Sequence, residues 1–219
     1  MSLAITVMIV DDHELVRMGI RRLLSDVPGI EVVAEAGTGE EAINLVAKAK
    51  PSVILMDVNM PGMGGLEATR RLKRIAPDSK VLVVTAYGDE PYPSRVLQAG
   101  AMGYMTKGAG IDEIVQAIRS VSMGKRYISP EVAQSLALKH LSNEGASPLE
   151  GLSEREMQVM IMISSGQEVS DVADQLCLSP KTVNSYRYRI FEKLNIHNDV
   201  ELSHLAIRYG LVQMDDLQH

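Results

Sequence analysis

The stretch Val53-Ile-Leu-Met-Asp57-Val-Asn-Met-Pro61-Gly62 constrains this chain more than any other. An unbroken apolar run of β-favouring residues delivers one carboxylate to the start of a Pro-Gly turn. Such a run, bounded by turn residues, suits a strand buried on both faces, as in a parallel sheet. The aspartate then stands at the strand's carboxyl end, where open α/β sheets bind their ligands. A second run, Ile5-Thr-Val-Met-Ile-Val10, ends the same way in Asp11 and Asp12.

Around these two runs the pattern alternates. Strand-like runs fall at 4–10, 30–36, 52–58, 80–86 and 101–105, with helix-like stretches near 13–27, 38–50, 64–75, 91–99 and 111–123. Thr38 and Glu41 read as a capping box, hydroxyl and carboxylate satisfying orphan amides at a helix start. Five strands alternating with five helices predict an α/β fold, a doubly wound, flavodoxin-like five-stranded parallel sheet. In the order 2-1-3-4-5, strands 1 and 3 are neighbours at the switch point, which brings Asp11, Asp12 and Asp57 together.

Three carboxylates in contact cannot all stay ionised cheaply: one pKa rises or a cation sits among them. Oxygen ligands point to a hard ion, Mg2+, which commonly binds phosphate beside one or two carboxylates. Thr85 ends one apolar run and Lys107 follows another, so a hydroxyl and an ammonium converge on the same end of the sheet. That set suits a phosphoryl group, whose oxygens need donors and positive charge, with Asp57 as the nucleophile. His13 reads as a helix-start residue.

After residue 124 the character changes. Residues 125–149 read as a linker carrying a helix over about 130–141, opened by Ser129-Pro130-Glu131, followed by a Ser/Gly/Pro-rich stretch. Residues 150–219 read as a small all-α domain of four short helices. Ser153-Glu-Arg-Glu156 caps the first, over 157–164, and Gly166 stops it. The others fall near 169–176, from Ser179-Pro180 to about 194, and at 200–209.

The chain's single cysteine excludes an internal disulfide and fits a reducing compartment, and the absence of a long apolar run predicts a cytoplasmic address. Net charge is −6, and residues 150–219 carry 6 Lys+Arg against 11 Asp+Glu. Any nucleic-acid surface must therefore be a local basic patch. One exists: between Ser179 and Ile196, four cations (Lys181, Arg187, Arg189, Lys193) face only Glu192. Val172, Ala173, Leu176, Val183, Ile190 and Leu194 have the spacing of an inward stripe. Lys181, Asn184, Ser185 and Tyr188 lie on the opposite face of the third helix. Helix, tight turn and helix thus present a polar face to DNA. Lys181, Thr182, Arg187, Arg189 and Lys193 are candidates for phosphates, and Asn184, Ser185 and Tyr188 for base edges in a major groove. Cys177 reads as a small buried residue of the turn.

Residues 4–123 resemble the receiver domain of a two-component response regulator, with Asp11-Asp12, Asp57 followed by Met60-Pro61-Gly62, Thr85 and Lys107 all intact. The resemblance implies a CheY-like fold with Asp57 as phosphoacceptor. It implies Asp12, Asp57 and the Asn59 carbonyl as Mg2+ contacts with Asp11 assisting, and Tyr104 as a switch aromatic that follows Thr85. Pro91 and Pro93 shorten the fourth helix. Leu152-Ser-Glu-Arg-Glu156, Leu178-Ser-Pro-Lys-Thr-Val183 and Lys193-Leu194 resemble the helix-turn-helix of the NarL/FixJ (LuxR-type) family. Ser179-Pro-Lys-Thr-Val-Asn-Ser-Tyr-Arg-Tyr-Arg189 with Val200-Glu-Leu-Ser-His-Leu-Ala206 looks most like its GacA/UvrY/LetA branch. That branch implies a sensor histidine kinase partner of the BarA/GacS kind, a homodimer joined through the helix near 200–209, and control of small regulatory RNA genes that oppose CsrA/RsmA. No enzyme activity is expected beyond Mg2+-dependent self-phosphorylation and autodephosphorylation at Asp57. A haloacid-dehalogenase-like phosphatase is the rival, but it needs a second acid where Asn59 stands. A receiver working only through protein partners is another.

Overall fold

The apolar runs at 5–10, 53–56 and 80–85 form the middle of one parallel sheet because they are too apolar to face water on either side. In the computed structural model, which describes residues 4–86, 92–141, 148–209 and 211–212, the strands are β1 (Ile5–Val10), β2 (Ile30–Ala36), β3 (Val53–Met56), β4 (Lys80–Thr85), β5 (Gly103–Thr106) and β6 (Tyr127–Ile128). Their spatial order is β2-β1-β3-β4-β5-β6. Helices α1 (Glu14–Ser25), α2 (Gly39–Ala49), α3 (Gly64–Ile75), α4 (Tyr92–Ala99) and α5 (Ile111–Ser122) connect them, and α6 (Pro130–Leu141) follows. Residues 7–10 and 53–56 are each at most 2% exposed, as strands covered on both faces require. Val10 pairs with Met56, so the residues that follow, Asp11 and Asp57, leave the sheet side by side.

Among the described residues the sheet has six strands where the pattern predicts five. β6 is two residues long and lies in the stretch read as linker; it pairs Gly103 with Tyr127 and Tyr104 with Ile128. Two residues give no periodicity to read. The compact unit built on the sheet accordingly continues through Ser135, beyond the boundary expected at residue 124. The cap of α2 also differs in detail. The Glu41 amide donates to Thr38 Oγ1 at 3.2 Å, but the Glu41 carboxylate accepts from Gly37 N at 2.7 Å, one residue earlier than a capping box requires.

The second unit runs from Leu136. A 3-10 turn at Pro148–Gly151 precedes α7 (Glu154–Ser164), α8 (Val169–Gln175), α9 (Pro180–Leu194) and α10 (Asp199–Arg208). The Ser153–Glu156 capping box is complete, and because Ser153 is the cap, α7 starts at Glu154, earlier than expected. Val172, Ala173, Leu176, Val183 and Ile190 are buried as the inward stripe demands, and Leu194 is half-buried. Cys177 corrects its sequence reading: it is exposed, at φ +53. Leu178 N donates to Ala173 O at 2.8 Å and Cys177 N to Asp174 O at 3.2 Å, which is a Schellman ending of α8. The left-handed residue of that motif turns its side chain outward, so backbone geometry overrides the usual burial of cysteine. Among the described residues no helix is long and apolar enough to cross a membrane. Residues 1–3, Pro91, Gly210 and the linker stretch 142–147 lie outside the described residues.

Candidate functional site

At the carboxyl end of β1 and β3 two carboxylates are taken out of water. Asp11 is 3% exposed and Asp57 4%. Lys107, just beyond β5, reaches both: its Nζ is 2.6 Å from Asp11 Oδ2 and 2.7 Å from Asp57 Oδ2. The Lys107 backbone is anchored by its amide, which donates a hydrogen bond to Thr85 O at 2.7 Å. Asn59 N donates to the other Asp57 oxygen at 3.3 Å. Burial raises the Asp57 carboxyl above its ordinary value, opposed by the Lys107 ammonium. Burial acts to lower Lys107, but the Asp57 and Asp11 carboxylates outweigh it and hold the ammonium above its ordinary value. The pair is thus mutually dependent.

Asp12 and His13 complete the rim. His13 Nδ1 lies 2.8 Å from Asp12 Oδ1 and 3.2 Å from Asp11 Oδ1, and its amide donates to Asp11 Oδ1 at 2.9 Å. One oxygen or nitrogen from each of Asp11, Asp12, His13 and Asp57 lies within 4.8 Å of the others. Such a set, with two buried carboxylates that a single lysine must neutralise, fits a hard divalent ion. Receivers generally bind Mg2+ at an acidic site of this kind. Thr85 ends β4 at 0% exposure, and its hydroxyl oxygen has no hydrogen-bond partner among the described residues. A buried hydroxyl left unpaired costs about 1–3 kcal/mol. Tyr104, in the next strand, is fully buried.

Asp11, Asp12, Asp57 and Lys107 therefore meet as the spacing predicts, and Asn59 touches Asp57 through its amide. The sequence reading missed two residues. His13 does begin α1 as its cap residue, but its ring also joins the acidic cluster. Gly65 lies so close to β3 that a β carbon there would sit 1.9 Å from the Asp57 carbonyl oxygen. The signal was present: a glycine within a helical pattern marks close backbone approach.

The second candidate surface is α9. Lys181, Ser185, Tyr188 and Arg189 are exposed, Tyr188 by 71%. Ser179 Oγ accepts from Thr182 N at 3.1 Å, so the helix starts with a side-chain cap and Pro180 in its first turn. Two cations of the patch are engaged inside the domain. Arg187 forks onto the Asp199 carboxylate and donates to Asn184 Oδ1 at 2.7 Å. Lys193 Nζ donates to Glu156 Oε2 at 2.7 Å and to Gly151 O at 3.1 Å. Burial would raise the Glu156 carboxyl, but the Lys193 ammonium and the Ser153 amide outweigh it and hold it below its ordinary range. These bonds tie α9 to α7 and to the start of α10.

Residues 7–119 match the response regulator receiver domain, and residues 150–206 match the luxR family of bacterial regulatory proteins. The response regulator GacA of Pseudomonas aeruginosa is 58% identical over 209 residues, covering 95% of this chain and 98% of that protein. The response regulator UvrY of Escherichia coli is 55% identical over 214 residues, covering 97% and 98%. Among solved structures, the RcsB response regulator of Salmonella typhimurium is 25% identical, covers 94% of this chain and 98% of that one, and superposes with a TM-score of 0.70. RcsB from Salmonella enterica serovar Typhimurium, solved on promoter P1flhDC with phosphomimetic BeF3-, is 26% identical over 92% of this chain and 97% of that one, at a TM-score of 0.67. The chain belongs to the two-component response regulators that join a receiver to a luxR-family helix-turn-helix domain and regulate transcription.

Proposed function

We propose that Asp57 is the phosphoacceptor and that its phosphorylation controls dimerisation and DNA binding by the second domain. The observation that carries this reading is the Lys107 ammonium held between Asp11 and Asp57, with the buried Thr85 hydroxyl, which has no partner among the described residues, at the end of the next strand. An Asp57 oxygen attacks phosphorus as the bond to a kinase phosphohistidine breaks. Later attack by water returns the free carboxylate. Lys107 offers positive charge to the transferred oxygens, and Thr85 turns its hydroxyl to one of them. Asp11, Asp12, Asp57 and the Asn59 carbonyl would hold Mg2+, with His13 beside them. When bound, that ion neutralises the charge that builds on the phosphoryl oxygens. Tyr104 then follows Thr85, so that a doubly charged group biases a bistable element.

On α9, Lys181, Thr182 and Arg189 contact phosphates, and Asn184, Ser185 and Tyr188 face base edges. Arg187 and Lys193 contribute by fixing the helix against Asp199 and Glu156. A homodimer joined through α10 reads two-fold half-sites. The high identity to GacA and UvrY supports a sensor histidine kinase of the BarA/GacS kind as donor and small regulatory RNA genes as targets. The switch operates in the cytoplasm, where the kinase's catalytic portion and DNA meet.

The test is DNA affinity and oligomeric state with and without acetyl phosphate and Mg2+, wild type beside Asp57→Ala. Tighter, dimeric binding that the variant loses is expected. Equal binding by every form would eliminate phosphorylation gating. Thr85→Val provides an independent check. Removing an unpaired buried hydroxyl at nearly constant shape should stabilise the receiver by about 1 kcal/mol, while reducing the gain in DNA affinity on phosphorylation. Urea unfolding that finds the variant less stable would show that the hydroxyl has a partner.

A further inference from the structure

The loop that follows Asp57 has an anchor that lies in another helix. Residues 57–63 connect β3 to α3, whose cap residue Met63 gives no side-chain bond to the helix among the described residues. The hold comes instead from Glu40, in the first turn of α2. Its Oε1 accepts the Met63 amide at 2.8 Å. The same carboxylate lies flush against the turn: a β carbon at Gly62, where φ is +75°, would come within 2.7 Å of both Glu40 oxygens. Beside it the start of α2 is pressed against α3 and its cap residue, since a β carbon at Gly39 would sit 2.8 Å from Ala68 Cβ and 2.9 Å from Met63 Cγ. At its other end the loop is tied by Gly65 N to Val58 O at 2.9 Å and by Asn59 N to Asp57 Oδ1 at 3.3 Å. The span between these two anchors carries Asn59.

We infer that Glu40 is a positioning residue for phosphoryl transfer: it holds the loop after Asp57 so that the Asn59 carbonyl and the Asp57 carboxylate stay in register for the cation. This rests on the reading of Asp57 as phosphoacceptor. Glu40 touches neither the cation nor the phosphoryl group. A group that orients a ligand through one hydrogen bond typically changes metal affinity by 10–100-fold when removed. Glu40 acts on one ligand of several and is exposed, so the lower end applies.

The experiment uses the full chain as wild type, Glu40→Ala, Glu40→Gln and Glu40→Asp. Mg2+ affinity is read by calorimetry, and the rate of Asp57 phosphorylation by acetyl phosphate is followed against Mg2+ concentration. Glu40→Ala should weaken Mg2+ binding about tenfold and slow phosphorylation at low Mg2+, with recovery at saturation. Glu40→Gln, whose amide oxygen accepts the same bond, should stay within about twofold of wild type. Glu40→Asp keeps the charge but ends one methylene short, and should follow alanine. Unchanged affinity in Glu40→Ala overturns the inference, as does a glutamine variant as weak as alanine. If the alanine variant melts early, the aspartate variant decides, and wild-type affinity there overturns the inference. An Asp57→Asn control phosphorylated as fast as wild type would overturn the reading of the site itself. Phosphorylation that depends on Asp57 but not on Glu40 would overturn the positioning role alone.

Discussion

Gly65→Ala should lower the melting temperature of the receiver by about 10 °C or more, and should slow phosphorylation in whatever fraction remains folded. The β carbon would stand 1.9 Å from the Asp57 carbonyl oxygen and 2.8 Å from both the Asp57 carbonyl carbon and Val58 Cα. All three are backbone atoms of the strand end, so no flexible side chain can move aside. Gly65 is itself held there, its amide donating to Val58 O at 2.9 Å and its carbonyl accepting from Thr69 Oγ1 at 2.7 Å. Relief requires α3 to lift away from β3, opening the packing beneath Leu66, Ala68 and Leu72, all buried. Overpacking costs typically about 1–3 kcal/mol and occasionally more, and against backbone that cannot move aside the cost is at or above about 3 kcal/mol. At about 3 °C per kcal/mol for a unit of this size, that is the expected fall. Gly19→Ala supplies the contrast. Gly19 lies within α1 with open space around it, so alanine there should stabilise by about 0.5–1 kcal/mol. Thermal melts of the two variants beside wild type check this, and near-equal melting of Gly65→Ala and wild type would show that α3 is not held against Asp57.

What was legible in the sequence was legible for a physical reason. Strands buried on both faces leave uninterrupted apolar runs, so β1, β3 and β4 stood out, and the residues that close them, Asp11, Asp57 and Thr85, fell at one end of the sheet. Helix caps were legible because Ser153 and Ser179 announce themselves by side-chain chemistry. The features that were not legible depend on partners distant in sequence. Tyr127 and Ile128 form a strand only because the β5 edge lies open to them, and two residues carry no period. Cys177 faces water because its backbone is left-handed, which residue type does not reveal. Counting charges put Arg187 and Lys193 with the DNA candidates. The carboxylates that engage them, Asp199 and Glu156, come from α10 and α7 and become visible only when the helices pack. Gly65 and Glu40 owe their importance to approaches of backbone to backbone and carboxylate to amide, which leave only a glycine-rich turn in the sequence.

Lys107→Met should cut Asp57 phosphorylation by acetyl phosphate about 10²–10³-fold, the range found on removing one charge-stabilising donor from a reacting centre. It should also change how stability depends on pH. In the wild type, Lys107 is held above its ordinary value, so its contribution is fully present below about 10.4 and is lost only as pH rises through the higher folded value. Asp57 is also raised, chiefly by burial, so above about 3.9 its ionisation works against folding, and Lys107 is what limits that cost. Methionine fills the stem's volume but leaves Asp11 and Asp57, 3% and 4% exposed, without their shared ammonium. Two buried carboxylates cannot both stay charged, and one retains a proton well above the usual carboxylate range. The folded variant then binds more protons than the unfolded chain, so its stability falls as pH rises from about 4 toward that raised value. Urea unfolding should therefore find a larger deficit, relative to wild type, at pH 8 than at pH 5. The same proton explains part of the kinetic loss, because a protonated Asp57 is no nucleophile, and the variant's residual phosphorylation should gain more from alkaline pH than wild type does. A deficit independent of pH would mean that Lys107 serves through packing of its stem, and the charge balance drawn for Asp11, Asp57 and Lys107 would fail with it.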